Sequence, residues 1–409
     1  MEKRHCWPEG HWNWPITVTH KHGVRCGEII WFGGQVDLDP EGTVLNPDEL
    51  GTQTANVMRN IGTVLEGLDC DLQDLVHLLC FYVNDGSVDE TRFLEMVAAA
   101  LPDGTETTVT AVPVPALAYE GMIVEIEGIA MRRANGDHMS RTTASHDHAS
   151  LLPPKFCEAL RCGKMIFVSG QSPLDDNGGI ASPGDIVAQT NVEMAQIRNL
   201  LGQLGAGFGD VVKSNRWYSG TAGVEDFEPA ALACAAHYPE PGPAATGIPL
   251  PRHANDDVKV KLSCVAMLAE DGSSLPKRHV WPDGLWDWTI HLPYKHGVKC
   301  ADMIFLGGQV SLNTKGEAVD PGEISPQTHQ AMKHIGTILG ALGADYGDVC
   351  KICTFYHGNC GAGELHANFQ IRSSYFTDPG PATTGIPLPE LAYQDMMIEI
   401  EAFAIVEPD

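Results

Sequence analysis

Ile29-Ile30-Trp31-Phe32-Gly33-Gly34-Gln35 returns as Met165-Ile166-Phe167-Val168-Ser169-Gly170-Gln171, and again as Met303-Ile304-Phe305-Leu306-Gly307-Gly308-Gln309. Adding 136 carries the first copy onto the second, and adding 274 carries it onto the third. The same offsets pair Cys26 with Cys162 and Cys300, Gln53 with Gln189 and Gln327, and Asp74 with Asp210 and Asp348. They also pair Tyr82 with Tyr218 and Tyr356, and Pro115 with Pro251 and Pro389. This register marks one unit present three times. Its period exceeds the roughly 20–50 residues of solenoid repeats, so each unit is expected to be a complete domain. The units divide at 1–133, 134–270 and 271–409, with linkers at 132–149 and 268–277.

Each unit reads alike. An apolar strand ending in Gly-Gln leads through a turn rich in Pro, Gly and Asp to a helix beginning near Gln53. Val57, Met58, Ile61, Val64, Leu65 and Leu68 form a stripe at helical spacing on that helix. A strand follows over 75–83, then a second helix near 88–100. A closing strand spans 122–131, where Val124-Glu125-Ile126-Glu127 alternates as a half-buried strand does. Strands covered by helices in this order define an α+β layer domain.

Composition excludes some partners. The chain has 26 Lys+Arg against 53 Asp+Glu, a formal charge of −27. Such a surface repels phosphate backbones and anionic membranes, because nucleic-acid binding draws on basic groups. The first ten residues carry no apolar signal core, and no run is long enough to span a bilayer. The expectation is a cytoplasmic protein with a small-molecule partner, no nucleic acid and no membrane. The 12 cysteines then read as reduced thiols.

The (S/G)-G-Q strand, the Gln-led helix, the Gly-x-x-x-x-Asp before a strand and the closing V-E-I-E together resemble the RidA (YjgF) family. The resemblance covers nearly the whole chain. It implies three chorismate-mutase-like α+β domains closing as a pseudo-threefold, single-chain trimer, self-contained or at most paired as a homodimer. It also implies ligand clefts between units, hydrolysis of reactive imines or enamines to ketones and ammonia, and no cofactor or metal.

The family's carboxylate-binding Arg falls at Val109, Ala245 and Thr383, and its Cys at Ala111, Gly247 and Gly385, so no unit keeps either. None of these residues replaces a bidentate guanidinium. The family acid survives as Glu125 and Glu399 and becomes Lys261 in the middle unit. The family Tyr survives as Tyr294 and becomes His20 and Phe156. Glu125, Glu399, His20 and Tyr294 are therefore the candidate catalytic residues, the acids to handle water and protons once burial raises their pKa. The competing reading makes Glu125/Glu127 and Glu399/Glu401 one solvated strand face.

Two Trp-rich arms precede the outer units: Arg4-His5-x-Trp7-Pro8-x-Gly10-x-Trp12-x-Trp14, and Arg278-His279-x-Trp281-Pro282-x-Gly284-x-Trp286-x-Trp288. Trp12, Trp14, Trp286 and Trp288 are candidate walls for a planar ligand, or else staples between neighbouring domains. Lys21, His22, Lys295 and His296 follow the arms as candidate anion or carbonyl contacts, or as ordinary loop residues. The middle unit lacks such an arm and reads as scaffold. Cys350-x-x-Cys353 splits across two strand faces, and His146-Asp147-His148 reads as solvated linker rather than a metal site. The leading function is C–N bond hydrolysis or deamination. A non-catalytic binder or chaperone-like homologue and a cyclic-amide hydrolase are the alternatives.

Overall fold

The computed structural model describes residues 2–146, 151–175 and 177–407. In the first unit β1 (Lys3–Cys6), β2 (Gly23–Cys26) and β3 (Ile29–Gln35) precede α1 (Leu50–Glu66). β4 (Leu75–Val83), α2 (Glu90–Ala99), β5 (Thr108–Val114) and β6 (Val124–Met131) complete it. The sheet order is β1-β2-β3-β6-β4-β5, with β4 and β5 parallel and the other pairs antiparallel.

The second unit repeats this with β7 (Arg141–Ala144), β8 (Ala159–Cys162), β9 (Met165–Gln171), α3 (Ile186–Gln203), β10 (Val211–Ser219), α4 (Val224–Ala235), β11 (Ala244–Leu250) and β12 (Val260–Met267). The third has β13 (Lys277–Val280), β14 (Gly297–Cys300), β15 (Met303–Leu306), β16 (Gln309–Val310), α5 (Ile324–Ala341), β17 (Val349–His357), α6 (Gly363–Ser373), β18 (Ala382–Leu388) and β19 (Ile398–Ile405).

The polar residues that recur in every unit hold the fold. Gln53 is buried at the start of α1; its amide donates to the carbonyls of Asn46 and Gly121, each at 2.7 Å, and accepts from Ile123 N at 2.9 Å. Gln189 and Gln327 tie helix to closing strand in the same way. Asp74, Asp210 and Asp348 close capping boxes ahead of β4, β10 and β17. Each satisfies a backbone donor that burial would otherwise leave unpaired.

Strand alternation gives every sheet two apolar faces. Ile30 and Phe32 pack under α1 with Val57, Ile61 and Leu65, while Trp31 faces the other way. There it joins one cluster that takes Phe167, Leu160, Phe305 and Val298 from the other two units. Hydrogen bonds between units run in a cycle. Gly170 N reaches Thr110 Oγ1 (2.9 Å), Gly308 N reaches the Ala245 carbonyl (3.1 Å), and Gly34 N reaches Thr384 Oγ1 (2.9 Å).

Buried charge follows the same cycle. Lys213 pairs with Glu401 at 2.8 Å and Lys351 with Glu127 at 2.6 Å, all four side chains largely buried. The third equivalent pair is His77 and Ser263. At these two positions Lys and Glu are absent together, as expected when either alone would be a buried unpaired charge costing on the order of 3–5 kcal/mol.

The expectation that the middle unit lacks an arm is corrected in part. β7 pairs with β8 as β1 does with β2 and β13 with β14, so the edge strand exists in all three units and only the tryptophans are missing. The basic residue opening each of these strands docks on the preceding unit. Lys3 binds the Gly347 carbonyl, Arg141 that of Gln73, and Lys277 that of Gly209. The staple reading of the arms therefore holds for their strand portion. His146 Nε2 lies 2.6 Å from Gln171 Oε1, where Trp12 and Trp286 donate to Gln35 and Gln309 in the outer units. Asp147 and His148 lie outside the described residues. Among the described residues no helix is long and apolar enough to cross a membrane.

Candidate functional site

Two cavities of matching construction lie between units. One lies between the third unit and the first, the other between the second and the third, and each leaves about 30 Å³ of free volume. Glu125, Trp12 and Trp14 line the first; Glu399, Trp286, Trp288 and Tyr294 line the second.

Each acid reaches its cavity over a glycine. A methyl built on Gly34 would meet Glu125 Oε1 at 1.8 Å, and one on Gly308 would meet Glu399 Oε1 at 1.8 Å. The second glycine of the repeated G-G-Q is thus the space the carboxyl occupies. Both acids are buried, which removes the solvated-face reading. Desolvation lifts each pKa to about 8, from an ordinary 4.5. Glu127 adds to the rise at Glu125, where Lys351 opposes it; Lys213 and Arg216 oppose it at Glu399. A carboxyl in that range holds a proton at neutral pH and can give it up.

Across each cavity stands an arginine at a position where the other units have none. Arg216 projects from β10, where the equivalents are Cys80 and Thr354; Arg372 projects from α6, where the middle unit has Cys234. Arg216 lies over the rings of Tyr218 and Phe227, at 5.6 and 5.0 Å, and Arg372 over Phe369 at 4.8 Å. Arg372 donates to Asn368 Oδ1 and Thr383 Oγ1. Each cavity thus has a guanidinium in its lining, although Val109, Ala245 and Thr383 carry none. The middle unit is accordingly more than scaffold, because Arg216 and Phe227 line the second cavity. Tyr119 and Tyr393 also line the cavities at equivalent positions, and the Tyr119 hydroxyl lies 3.0 Å from His366 Nε2.

The sequence carried one signal for these arginines: a lone cation where sister units hold small or apolar residues on a buried strand or helix face. Strand and helix periodicity alone do not show which interface that face meets.

The other candidates sit outside the linings of these two cavities. His20 is fully buried, with Nδ1 3.2 Å from the Pro381 carbonyl and its ring stacked on Phe369. Burial, then nearby Arg372, holds its pKa well below the usual value. It lies one layer behind the cavity wall. His22 and His296 are buried among the arm tryptophans; their Nε2 atoms meet the carbonyls of Trp12 and Trp286 at 3.0 and 3.1 Å. Lys21 pairs with Asp378 at 2.7 Å and sits over Trp7. Lys295 pairs with Glu240 and sits over Trp281. In these places the four residues seat the arms.

Between the first and second units the acid's place is taken by Lys261. Its ammonium binds Glu90 at 2.7 Å and the Ala111 carbonyl at 2.8 Å.

A three-unit α+β chain with paired acid–arginine cavities between its units defines the class. The Endoribonuclease L-PSP family pattern matches residues 15–132, 152–268 and 289–406, so the chain belongs to that family. Over 115 residues it is 29% identical to a RutC family protein of Pyrococcus horikoshii, covering 28% of this chain and 88% of that one. Over 116 residues it is 29% identical to a 2-iminobutanoate/2-iminopropanoate deaminase of Mus musculus, covering 28% of this chain and 83% of that one. A chorismatase crystal structure superposes with a TM-score of 0.54 at 12% identity, over 81% of this chain and 93% of that chain. That likeness is one of fold, and it extends beyond a single unit.

Proposed function

We propose that the protein is a hydrolase that cleaves the C–N bond of a small imine or enamine, working in the two interfaces that keep an acid and an arginine. The carrying observation is the pairing of a buried glutamate, its pKa raised by desolvation, with a guanidinium across an aromatic cavity, present twice. The relatives named as 2-iminobutanoate/2-iminopropanoate deaminases support the reaction class.

In this reading Glu125 or Glu399 gives its proton to the imine nitrogen as a water oxygen adds to the carbon. The carboxylate so formed accepts a proton from that water, producing the carbinolamine. The same group then protonates the amino nitrogen, the C–N bond breaks with its electron pair leaving on nitrogen, the carboxylate takes the proton from the carbinol oxygen as the C=O bond forms, and ketone and ammonia depart. The guanidinium holds the substrate's anionic group, and the indoles exclude bulk water, which strengthens both interactions. Three closed units sharing one chain keep both halves of each cavity together without an association step.

Imines generated in situ from amino acids by an amino-acid oxidase supply the test. Ammonia release above the uncatalysed rate is expected from the intact chain and not from the Glu125→Gln/Glu399→Gln variant. Ligand-dependent melting without turnover would replace this reading with that of a binder.

A further inference from the structure

Cys26 recurs as Cys162 and Cys300, whereas Cys350 stands where the other units have Val76 and Val212. A β-bulge decides where that second position points. In each unit the pairing register of the central strand slips around it, between Leu75 and His77, Val211 and Lys213, and Val349 and Lys351. A bulge takes its extra residue out of the strand alternation and re-aims the side chain. Val76, Val212 and Cys350 accordingly lie with Cys26, Cys162 and Cys300 in the apolar cluster that all three units share.

At the boundary between the third unit and the first, this brings two thiols together. β2 packs on β17, and the buried Cys26 and Cys350 side chains hydrogen-bond each other. Lys3 fixes the approach, its ammonium binding the carbonyls of Gly347 at 2.5 Å and of Val349, the residue before Cys350, at 3.1 Å. The hydrogen bond from Cys350, opposed by burial and helped by Lys3, draws the Cys26 thiol below its usual pKa. Burial raises that of Cys350. Cys26 is thus the nucleophile of the pair and Cys350 its proton donor. Cys26 also lines a cavity of about 660 Å³ whose rim includes the exposed Arg133, Lys164 and Glu270, so a small oxidant has an entry.

The linkers at 132–149 and 268–277 join the first unit to the second and the second to the third. The third and first units are joined only through the middle one, and theirs is the boundary where valine gives way to cysteine. We propose that Cys26 and Cys350 are an oxidation site, where a hydroperoxide forms a disulfide that closes the three-unit ring covalently. The Cys26 thiolate attacks one oxygen of hydrogen peroxide and the O–O bond breaks. The other oxygen takes a proton and leaves as water, so Cys26 becomes a sulfenic acid. The Cys350 sulfur then attacks the Cys26 sulfur, its proton passing to the departing hydroxide, which leaves as a second water. The two thiols together give up two electrons and two protons, and the peroxide takes them up. The bond lies in the same boundary as the Glu125 cavity but uses none of the residues that line it.

Hydrogen peroxide added to the folded full chain, followed by thiol blocking and peptide mapping without reductant, tests this. A peptide pair joined through Cys26 and Cys350 is expected. A rise in Tm of roughly 3–6 °C that dithiothreitol reverses is expected with it, because the bridge ties distant parts of the unfolded chain together. Cys350→Val installs the residue of the sister units, so it is expected to keep the Tm of the reduced parent and to lose both the joined peptides and the oxidative rise. Val212→Cys copies the pair to the boundary between the second and third units and is expected to add a second bridge, to Cys300. Oxidation of the exposed Cys360 with no Cys26–Cys350 linkage would overturn the proposal, since the oxidant would have acted and passed the pair by. A linkage that forms only in urea, or an oxidative Tm rise that persists in Cys350→Val, would overturn it equally.

Discussion

Exchanging Glu125 and Glu399 together for glutamine changes how stability depends on pH, and burial sets the size of the change. Each carboxyl is held at about 8 against an ordinary 4.5. Between these values the folded chain keeps a proton that the unfolded chain has lost. Stability therefore falls with rising pH by about 1.4 kcal/mol per pH unit per group, or about 2.7 for the pair. The contribution is fully present below the unfolded value and is gone once pH passes the folded value. Glutamine stays neutral throughout, so the stability of the variant relative to the parent is expected to rise steadily across that window and level off above it. Urea unfolding midpoints stepped from pH 5 to pH 9, compared pairwise at each step, measure this difference and cancel the titration of all other groups. A flat difference would mean that both carboxyls are ionised in the folded clefts, and the proton-donor role would fall with it.

Glu401→Gln alone leaves Lys213 buried without its counter-ion and is expected to destabilise by about 3–5 kcal/mol. Lys213→His with Glu401→Ser copies the His77/Ser263 interface and is expected to recover most of that loss; thermal melting of the three chains decides it. Gly308→Ala places a methyl where Glu399 Oε1 lies, at 1.8 Å, so turnover in the second cleft is expected to fall at least about tenfold. Gly34→Ala does the same to the first cleft, and either variant keeping full activity in both clefts would contradict the placement of the acids.

The repeat was legible in the sequence because it is carried by packing and hydrogen-bonding residues that all three units need. Gln53, Asp74 and Gly34 recur where a backbone donor must be paired or a side chain admitted. Helices and strands fell close to their expected places for the same reason: the stripe from Val57 to Leu68 and the alternation at Val124–Glu127 each have one buried solution. The site was only half legible. Glu125 and Glu399 followed from the closing-strand motif, but Lys21, His22, Lys295 and His296 seat the arms, since proximity in sequence to the tryptophans says nothing of which way each ring faces. Arg216 and Arg372 were missed because they come from different elements of different units, and only the closing of neighbouring units brings them opposite an acid. The edge strand of the middle unit was hidden because no tryptophan cluster follows it, although Arg141 keeps the docking role of Lys3 and Lys277.

Ammonia release from an imine generated in the cuvette, followed in the parent chain, in Glu125→Gln, in Glu399→Gln and in the double variant, tests the central claim most directly. Two working clefts predict partial activity in each single variant and the uncatalysed rate in the double. Undiminished turnover in the double variant would contradict the account.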